Sequence, residues 1–490
     1  MSSEPAASAR TYGGWRRSRS MGLWGLGPAH TLVVLGAILA VVAAGSISAA
    51  AMAVAAVPAT GVVALLVARW NGTPLLSALS QQLRWAWGQA RGRTSYRAGV
   101  TADGPHAWML PGVLAATELL AVDDAAGPFG LVRHRRSGTL TATLRVAPTS
   151  TWLVDRDQSD AWVANWGAWL AGLGYQPMVR WAAITVTALP ASSVRLPSQL
   201  AAQLVPGASA AAAHLLRRVA SSTAETAAEV RTEVSITFDP AGTATKLDAD
   251  AVAEVTRQLP GLESALGSCG LTLLGRATAP ELAAIVRSSF DPGARDDLER
   301  LDGADQRLVD WATAGPIAAD EEYGRYRHDS GLSVSWAWQE APRQHVHAEV
   351  LARLLAPTTY RKRVTLVYRP LAAAEAAKVV DREVNAAVFR SALRAAQRRD
   401  ANARDRADHD RALRAAGEEA VGAGIGLMSL FVTVTALHPD ELDGAVADVE
   451  ARADVARIRL RRLWASQAAG FATTLPCGLC PAQLATTWPR

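Results

Sequence analysis

Lysine is almost missing from this chain. Lysine and arginine together number 50 in 490 residues, yet the only lysines are Lys246, Lys362 and Lys378. A phosphate-binding P-loop requires a lysine between a glycine and a serine or threonine, because the loop amides cradle the phosphates while the lysine reaches their oxygens. None of the three lysines has these neighbours. The sequence therefore excludes a P-loop, and we expect the protein to bind no ATP by itself.

A large excess of one charge sign is also missing. The formal net charge is +5 with a pI of about 9.4, and the basic residues are nearly all arginine. Together with abundant alanine, this bias is typical of a GC-rich genome, whereas a nucleic-acid surface requires a concentrated positive patch. Direct binding of nucleic acid is therefore not supported.

Cysteine is scarce as well, with Cys269, Cys477 and Cys480 as the complete set. The last two form a C-x-x-C pair, but no second pair lies nearby to complete a four-ligand zinc site. A thioredoxin-like pair sits between a strand and a helix, whereas Pro476 and Pro481 bracket this one. We predict reduced thiols in a cytosolic compartment, with no disulfide, metal or redox cofactor.

Two clusters of titratable residues suggest enzyme chemistry. His345 and His347, with Glu349 in step, lie at the spacing of metal ligands on one strand face, but no companion ligand cluster is evident. Residues 319–331 mix carboxylates, tyrosines and a histidine, and an exposed acidic loop is the simpler interpretation of that stretch. Neither a G-x-S-x-G nor an H-E-x-x-H motif occurs. We predict a protein that is not an enzyme; a membrane-bound enzyme using either cluster is the alternative.

One long uncharged run is present, from Thr31 to Ala68. It is nearly twice the length of one membrane span, and the small residues at 45–48 divide it. We predict a transmembrane hairpin within residues 29–70, with a single long span or a cleaved signal peptide as alternatives. Arginines flank both ends, so residues 1–28 form a basic cytosolic tail and both termini are expected in the cytoplasm, at a bacterial plasma membrane.

Residues 71–95 carry leucines and tryptophans at helical spacing beside Arg84 and Arg91. This pattern predicts an amphipathic juxtamembrane helix lying along the membrane surface. A helix packed on the soluble domain is the alternative.

The remainder alternates short strands with helices. This order predicts an α+β fold in which helices cover a mixed, mainly antiparallel sheet. We place a first unit at 96–200, a second at 201–357, a helical arm with a terminal unit at 358–475, and an irregular tail at 476–490. The arm, residues 371–422, lacks proline and has dense charge of both signs, which indicates long solvated helices.

The terminal unit resembles a known pattern. Its strand, helix and arginine-rich strand are followed by "LWASQAAGFATTLPCG", which is similar to the end of the N-terminal, non-ATPase region of type IV secretion and conjugation ATPases. The matching positions are Leu442, Val449, Leu463, Gln467, Phe471, Leu475, Pro476 and Gly478. In that family the phrase leads into the ATPase core, and here the chain stops after it. The hairpin with "WNGTPLLSALSQQLRWAW" resembles the PrgI family of Gram-positive conjugation systems.

These resemblances imply an actinobacterial membrane protein of a conjugation or type IV-like secretion system, in which both parts are joined. The expected function is a scaffold that recruits a separate P-loop ATPase within a larger complex, as a homo-oligomer. Gln467, Phe471, Leu475 and Pro476 are the expected partner-docking residues. A type VII secretion E-type membrane component is the alternative of similar class. The cargo, DNA or protein, stays open.

Overall fold

A computed structural model of the chain describes residues 28–70, 73–104, 107–149, 154–192, 205, 207, 209–226, 228–240, 249–301, 309–340, 342, 344–372, 374–382, 384, 388, 410, 412–417 and 424–483. The predicted basic tail, most of the predicted helical arm and the end of the predicted irregular tail lie outside these residues. Of the arm, helix is present at 374–382 and 412–417.

Two apolar helices open the described chain, α1 (Pro28–Gly45) and α2 (Ala49–Val67). The Ser48 hydroxyl accepts the amide of Ala51 and caps α2, and Val34 packs on Leu66 near the far ends. They therefore form a hairpin. Among the described helices, α2 alone is long and apolar enough to cross a membrane, because the apolar stretch of α1 is shorter. The predicted double crossing thus stays a prediction.

A third helix, α3 (Leu75–Ala90), follows a two-residue hairpin of strands β1 (Arg69–Trp70) and β2 (Thr73–Pro74). One face of α3 contacts the body of the protein, and the other leaves an apolar stripe of Leu76, Leu79, Leu83 and Trp87 exposed. The helix is amphipathic and packs on the body, and its predicted position along a membrane surface stays a prediction.

The body is built on one 13-stranded sheet, and all of its pairings are antiparallel. This confirms the α+β class. The strands are β3 (Ser95–Arg97), β4 (Thr117–Asp124), β5 (Gly127–His134), β6 (Thr139–Pro148), β7 (Val179–Pro190), β8 (Ala228–Phe238), β9 (Leu271–Arg276), β10 (Ala318–Glu321), β11 (Tyr326–His328), β12 (Gly331–Glu340), β13 (Arg361–Pro370), β14 (Gly426–Ala436) and β15 (Arg459–Arg462).

The remaining α-helices with defined bounds are α4 (Arg156–Leu173), α5 (Ala210–Thr226), α6 (Ala249–Leu266), α7 (Ala279–Phe290), α8 (Arg295–Arg300), α9 (Ala352–Leu355), α10 (Pro439–Val455) and α11 (Gln467–Thr473). Short 3-10 turns occupy Gly112–Ala116, Gly267–Cys269, Pro292–Ala294 and Ala348–Leu351.

The predicted boundary at residue 200 does not divide the structure. It falls between β7 and β8, which pair along the whole of β7. The strand order is β3-β10-β11-β12-β14-β13-β7-β8-β6-β5-β4, with β15 added on β12 and β9 on β6. Strands distant in sequence therefore share one sheet, and the three predicted units are parts of a single body.

The sheet consists of two similar halves. Around the central β13–β7 pair, the order β11-β12-β14-β13 repeats as β5-β6-β8-β7, and a helix with a short strand closes each half (α6 and β9, α10 and β15). Thr185 pairs with Thr365 at the centre, with their hydroxyls 3.0 Å apart. The register thus defines a pseudo-two-fold axis through this pair.

Hydroxyl pairs repeat under this axis. Thr143 bonds Ser235 across β6 and β8 at 2.9 Å, and Ser335 bonds Thr433 across β12 and β14 at 2.9 Å. The next pair outward, Thr141 with Thr237, is matched by Ser333 with Thr435. The matching side chains confirm the correspondence of the two halves position by position.

The two faces of the sheet are chemically different. On one face, aliphatic residues of the strands form two cores with α4 and α6 and with α9 and α10. On the other, rows of threonine and serine face a narrower cover, made by α7 and by residues 467–480. We call residues 467–480 the cover segment. It contains every residue predicted to dock a partner.

Candidate functional site

The cover segment lies inside the protein. Gln467 and Phe471 have no exposed side-chain surface, Leu475 is 2 % exposed, and Pro476 is also buried. The structure therefore brings the four predicted docking residues together, but it seats them against the sheet of their own chain. A partner can reach these side chains only if the segment leaves the sheet.

Gln467 fixes the start of the cover segment by hydrogen bonding to the edge of β12, where β15 no longer pairs. After β15 ends, its side-chain oxygen accepts the amide of Ser335 at 2.7 Å, and its Nε2 donates to the Leu463 carbonyl at 2.9 Å. A buried amide left unpaired costs roughly 1–3 kcal/mol, so this side chain completes the edge of β12.

Phe471 is the centre of an aromatic cluster. Its ring centroid lies 4.9 Å from that of Phe290 on α7 and 4.7 Å from that of His328 on β11. The His328 nitrogens are 2.6 Å from the Phe290 carbonyl and 2.7 Å from the Ser333 hydroxyl, and burial lowers the pKa of His328 to about 4. This histidine is neutral at pH 7 and serves packing.

Farther along, the segment crosses from one half of the sheet to the other. The Thr474 hydroxyl bonds Thr433 of the second half at 3.0 Å. In the first half, Thr143 donates to the Pro476 carbonyl at 3.2 Å, and Trp181 donates to the Gly478 carbonyl at 3.1 Å. The segment thus ties the two halves together.

The C-x-x-C pair is part of this crossing. Cys477 and Cys480 are free, buried thiols, and burial raises the pKa of Cys477 to about 12. A thiol protonated at pH 7 is a poor nucleophile and metal ligand. Cys480 packs with Trp181 and Phe431 in a small apolar cluster.

The stretch 319–331 is not the exposed acidic loop of the sequence interpretation. It forms β10, β11 and the start of β12, an antiparallel meander joined to β3. Three of its four carboxylates hold the strands together: Asp320 pairs with Arg97, Glu321 accepts the amide of Ala468, and Asp329 accepts two backbone amides. The fourth, Glu322, pairs with Arg325 in a partly exposed turn. No acid–base pair faces solvent within these strands.

His345, His347 and Glu349 are exposed, and Glu349 lies in a 3-10 turn outside any strand. Across the described parts of the chain, no group of three histidine, cysteine, aspartate or glutamate side chains is arranged to hold a metal ion.

The cover segment also borders a charged cleft that the sequence analysis missed. The cleft lies between α7, the Pro476 end of the segment and the hydroxyl face of the sheet, and its cavity volume is about 40 Å³. Its ionisable lining residues on this face are Arg231, Glu233, Arg295, Arg361 and Arg363. The "RKR" that begins β13, a strand that pairs on both sides within the sheet, was the available sequence signal.

Helix α7 is fixed firmly as the far wall of this cleft. It begins with a capping box, in which Thr278 accepts the amide of Glu281 and the Glu281 carboxylate accepts the amide of Thr278. Such reciprocal capping satisfies two amides that the helix cannot pair internally. Ser288 and Ser289 at its other end line the cleft.

Two of the arginines are neutralised locally. Arg231 and Arg295 each form ion pairs with both Glu229 and Glu299, at 2.5 to 3.0 Å. Arg361 has no ion pair with a described residue. Arg363 donates to the Thr474 hydroxyl at 3.2 Å and lies over the Phe471 ring, 4.5 Å from its centroid, but one of its guanidinium nitrogens has no partner among the described residues.

Burial dominates the electrostatics of the cleft. It raises the pKa of Glu233 to about 7 despite the neighbouring Arg231 and Arg363, and one Glu233 oxygen has no partner among the described residues. It lowers the pKa of Arg363 to about 10, and burial with the nearby Arg295 lowers the pKa of Arg361. The cleft therefore holds two arginines whose neighbouring carboxylates, Asp296 and Glu299 for Arg361 and Glu233 for Arg363, lie beyond ion-pair distance.

No protein-family model and no curated protein matches this chain. The class is therefore defined by the fold: an α+β protein with a duplicated antiparallel sheet, preceded by an apolar helical hairpin.

Proposed function

We propose that this protein is a non-enzymatic, membrane-anchored scaffold of a conjugation-type secretion apparatus. Its α+β body lies in the cytoplasm and recruits a separately encoded P-loop ATPase, and several copies assemble in the complex. The hairpin inserts in the bacterial plasma membrane with both termini in the cytoplasm. The resemblance of the hairpin and of the terminal unit to conjugation proteins motivates the proposal.

The observation that carries it is the connection between α3 and the residues directly before the cover segment. Gln81 of α3 donates to the Trp464 carbonyl at 2.5 Å and to the Ser466 hydroxyl at 3.2 Å, directly before α11 begins. Trp85 of α3 meets Tyr323 edge-on, and Tyr323 stacks on Trp464. A helix that follows the apolar hairpin is thus bonded to the residues that lead into the cover segment.

The exposed stripe of α3 supports the anchor. Trp87 lies under Arg91, whose guanidinium carbon is 3.7 Å from the ring centroid. Tryptophan with arginine is typical of the membrane interface, and an apolar helix face continues the surface of an inserted hairpin.

Because the predicted docking residues are internal, we assign Gln467, Phe471, Leu475 and Pro476 the task of seating the cover segment. Recruitment of the ATPase then depends on the cover segment being packed on the sheet. Two variants disturb the seat from opposite sides: Gln467→Ala removes the bond to Ser335, and Thr143→Val removes the bond to Pro476. Arg327→Gln, an exposed position on β11, is the matched control.

The test is co-purification of the detergent-solubilised protein with the P-loop ATPase encoded beside it. Wild type and Arg327→Gln should retain the ATPase, and the two seat variants should lose most of it. Equal recovery by all four proteins would refute the role of the segment. Recovery of type VII membrane components without such an ATPase would favour the E-type alternative.

Topology is tested separately with reporter fusions after Arg93 and at Arg490. Both should report cytoplasm, because arginines flank both ends of the apolar run. Both sites follow the apolar run, so an external signal from both reporters would mean that the run crosses the membrane an odd number of times, and it would refute the proposed geometry.

A further inference from the structure

The charged cleft contains two arginines, Arg361 and Arg363, that form no ion pair with a described residue. Arg231 and Arg295 share Glu229 and Glu299, so these four charges cancel. Arg361 is attracted by Asp296 and Glu299, and Arg363 by Glu233, only from beyond ion-pair distance. Arg363 is 8 % exposed and has an unpartnered nitrogen. A buried guanidinium without an anion costs several kcal/mol, so such an arrangement requires compensation from elsewhere.

The fold itself does not require these charges. Rotation about the pseudo-two-fold axis exchanges Thr365 with Thr185, so it exchanges Arg363 with Ala183 and Arg361 with Trp181. The same rotation exchanges Thr433 with Ser235, and therefore Glu233 with Phe431. The equivalent positions form a small apolar cluster of Trp181, Ala183 and Phe431.

One half of the sheet thus has apolar side chains at these equivalent positions, and burying apolar side chains costs less free energy than burying charges in the same backbone arrangement. The other half has a cleft lined by guanidinium groups, hydroxyls and one carboxyl. Charge that the architecture does not need, at a cleft open to solvent, indicates a ligand.

We propose that the cleft between α7 and the cover segment binds a phosphate group, held by Arg361 and Arg363. Two guanidinium groups match the charge of a phosphate monoester, which is nearly −2 at neutral pH, better than that of a carboxylate. The hydroxyls of Thr187, Ser288 and Ser289 line the same space. Glu233, when protonated, adds a donor to a phosphate oxygen.

This site is unrelated to a P-loop, since it has no glycine-rich loop and lies on the face of a sheet. Its ligand is free phosphate or the phosphate of a small monoester. The monoester has two sources with the same chemistry, a lipid headgroup and a nucleotide, and the experiment distinguishes them.

Equilibrium dialysis of the full chain in detergent, with radiolabelled inorganic phosphate at constant ionic strength, measures the affinity. Wild type should bind saturably. Arg361→Gln, at a partly exposed position, should weaken binding at least about tenfold, because a charge-assisted hydrogen bond is lost. Arg361→Lys, which keeps the charge but loses the planar fork, should fall between them. Arg327→Gln should equal wild type.

Arg363→Ala, which installs the residue of the other half, gives a second and independent loss of binding, with thermal unfolding as the check on folding. Competition by glycerol 3-phosphate alone identifies a headgroup, and competition by adenosine 5′-monophosphate alone identifies a nucleotide. Absence of saturable binding up to about 10 mM phosphate, the weak end of specific affinities, overturns the proposal. Equal binding by wild type and Arg361→Gln overturns it as well.

Discussion

Replacement of Glu233 by glutamine should stabilise the protein at alkaline pH and leave it nearly unchanged at acidic pH. The Glu233 carboxyl is 4 % exposed and has no ion pair within bonding distance among the described residues. Burial therefore raises its pKa from 4.5 to about 7. Glutamine has the same shape and cannot ionise.

The magnitude follows from proton linkage. Between pH 4.5 and pH 7 the unfolded chain has lost the Glu233 proton, while the folded chain still holds it. The contribution of Glu233 to the free energy of unfolding is therefore fully present below pH 4.5 and is lost as the pH rises through 7. Each pH unit between these values removes about 1.4 kcal/mol, so wild type loses about 3 kcal/mol by pH 8. Glu233→Gln avoids this loss.

Thermal unfolding of the detergent-solubilised chain, followed by tryptophan fluorescence from pH 5 to pH 8.5, measures the effect. A difference of about 3 kcal/mol corresponds to a Tm difference of several degrees. Glu349→Gln, an exposed glutamate, is the control and should show a constant small difference. The glutamine amide also changes local hydrogen bonding, but that change is independent of pH.

Parallel Tm curves for wild type and Glu233→Gln across this range would refute the linkage argument. They would mean that Glu233 is ionised in the folded protein at all these pH values, stabilised by Arg231 and Arg363.

Three further predictions follow from the same structure. Gly478→Ala should destabilise the protein by at least about 2 kcal/mol in urea unfolding, because Gly478 has a φ of +65° and a Cβ would overlap the Thr141 hydroxyl; an unchanged midpoint would mean that the cover segment is not seated. His328 is buried and its pKa is lowered to about 4, so the free energy of unfolding should fall by up to about 3 kcal/mol as the pH drops from 6.5 toward 4. In melting curves, His328→Gln should show a smaller decline over this pH range. The partner-free protein should show no saturable binding of ATP at micromolar concentrations in equilibrium dialysis, since no lysine lies in a P-loop; tight binding would contradict this sequence argument.

The sequence determined the elements whose cause is local. The apolar run and its division at residues 45–48 predicted α1 and α2 within a few residues, because uninterrupted apolarity and a capping serine act over one or two turns. Strand, helix and strand near the end likewise appeared as β14, α10 and β15, since periodicity and proline positions lie within the segment itself.

The tertiary structure decided what distant strands do together. Residues 319–331 have a polar, acidic sequence, and they became strands because β3 and β12 provide pairing on both sides. The pseudo-two-fold axis depends on Thr185 meeting Thr365, a register that no local pattern encodes.

Contact between distant parts of the chain also explains why the sequence did not predict the position of the cover segment or the charged cleft. Phe471 and Leu475 were predicted to dock a partner protein, but a sequence does not say whether an apolar residue packs on another protein or on its own chain. In this protein, Phe471 and Leu475 pack on the hydroxyl face of their own sheet. Arg363 on β13 and Glu233 on β8 come together because β7 pairs with both strands. Burial of both charges is a property of that assembled sheet, and the sequence shows only their alternation along a strand.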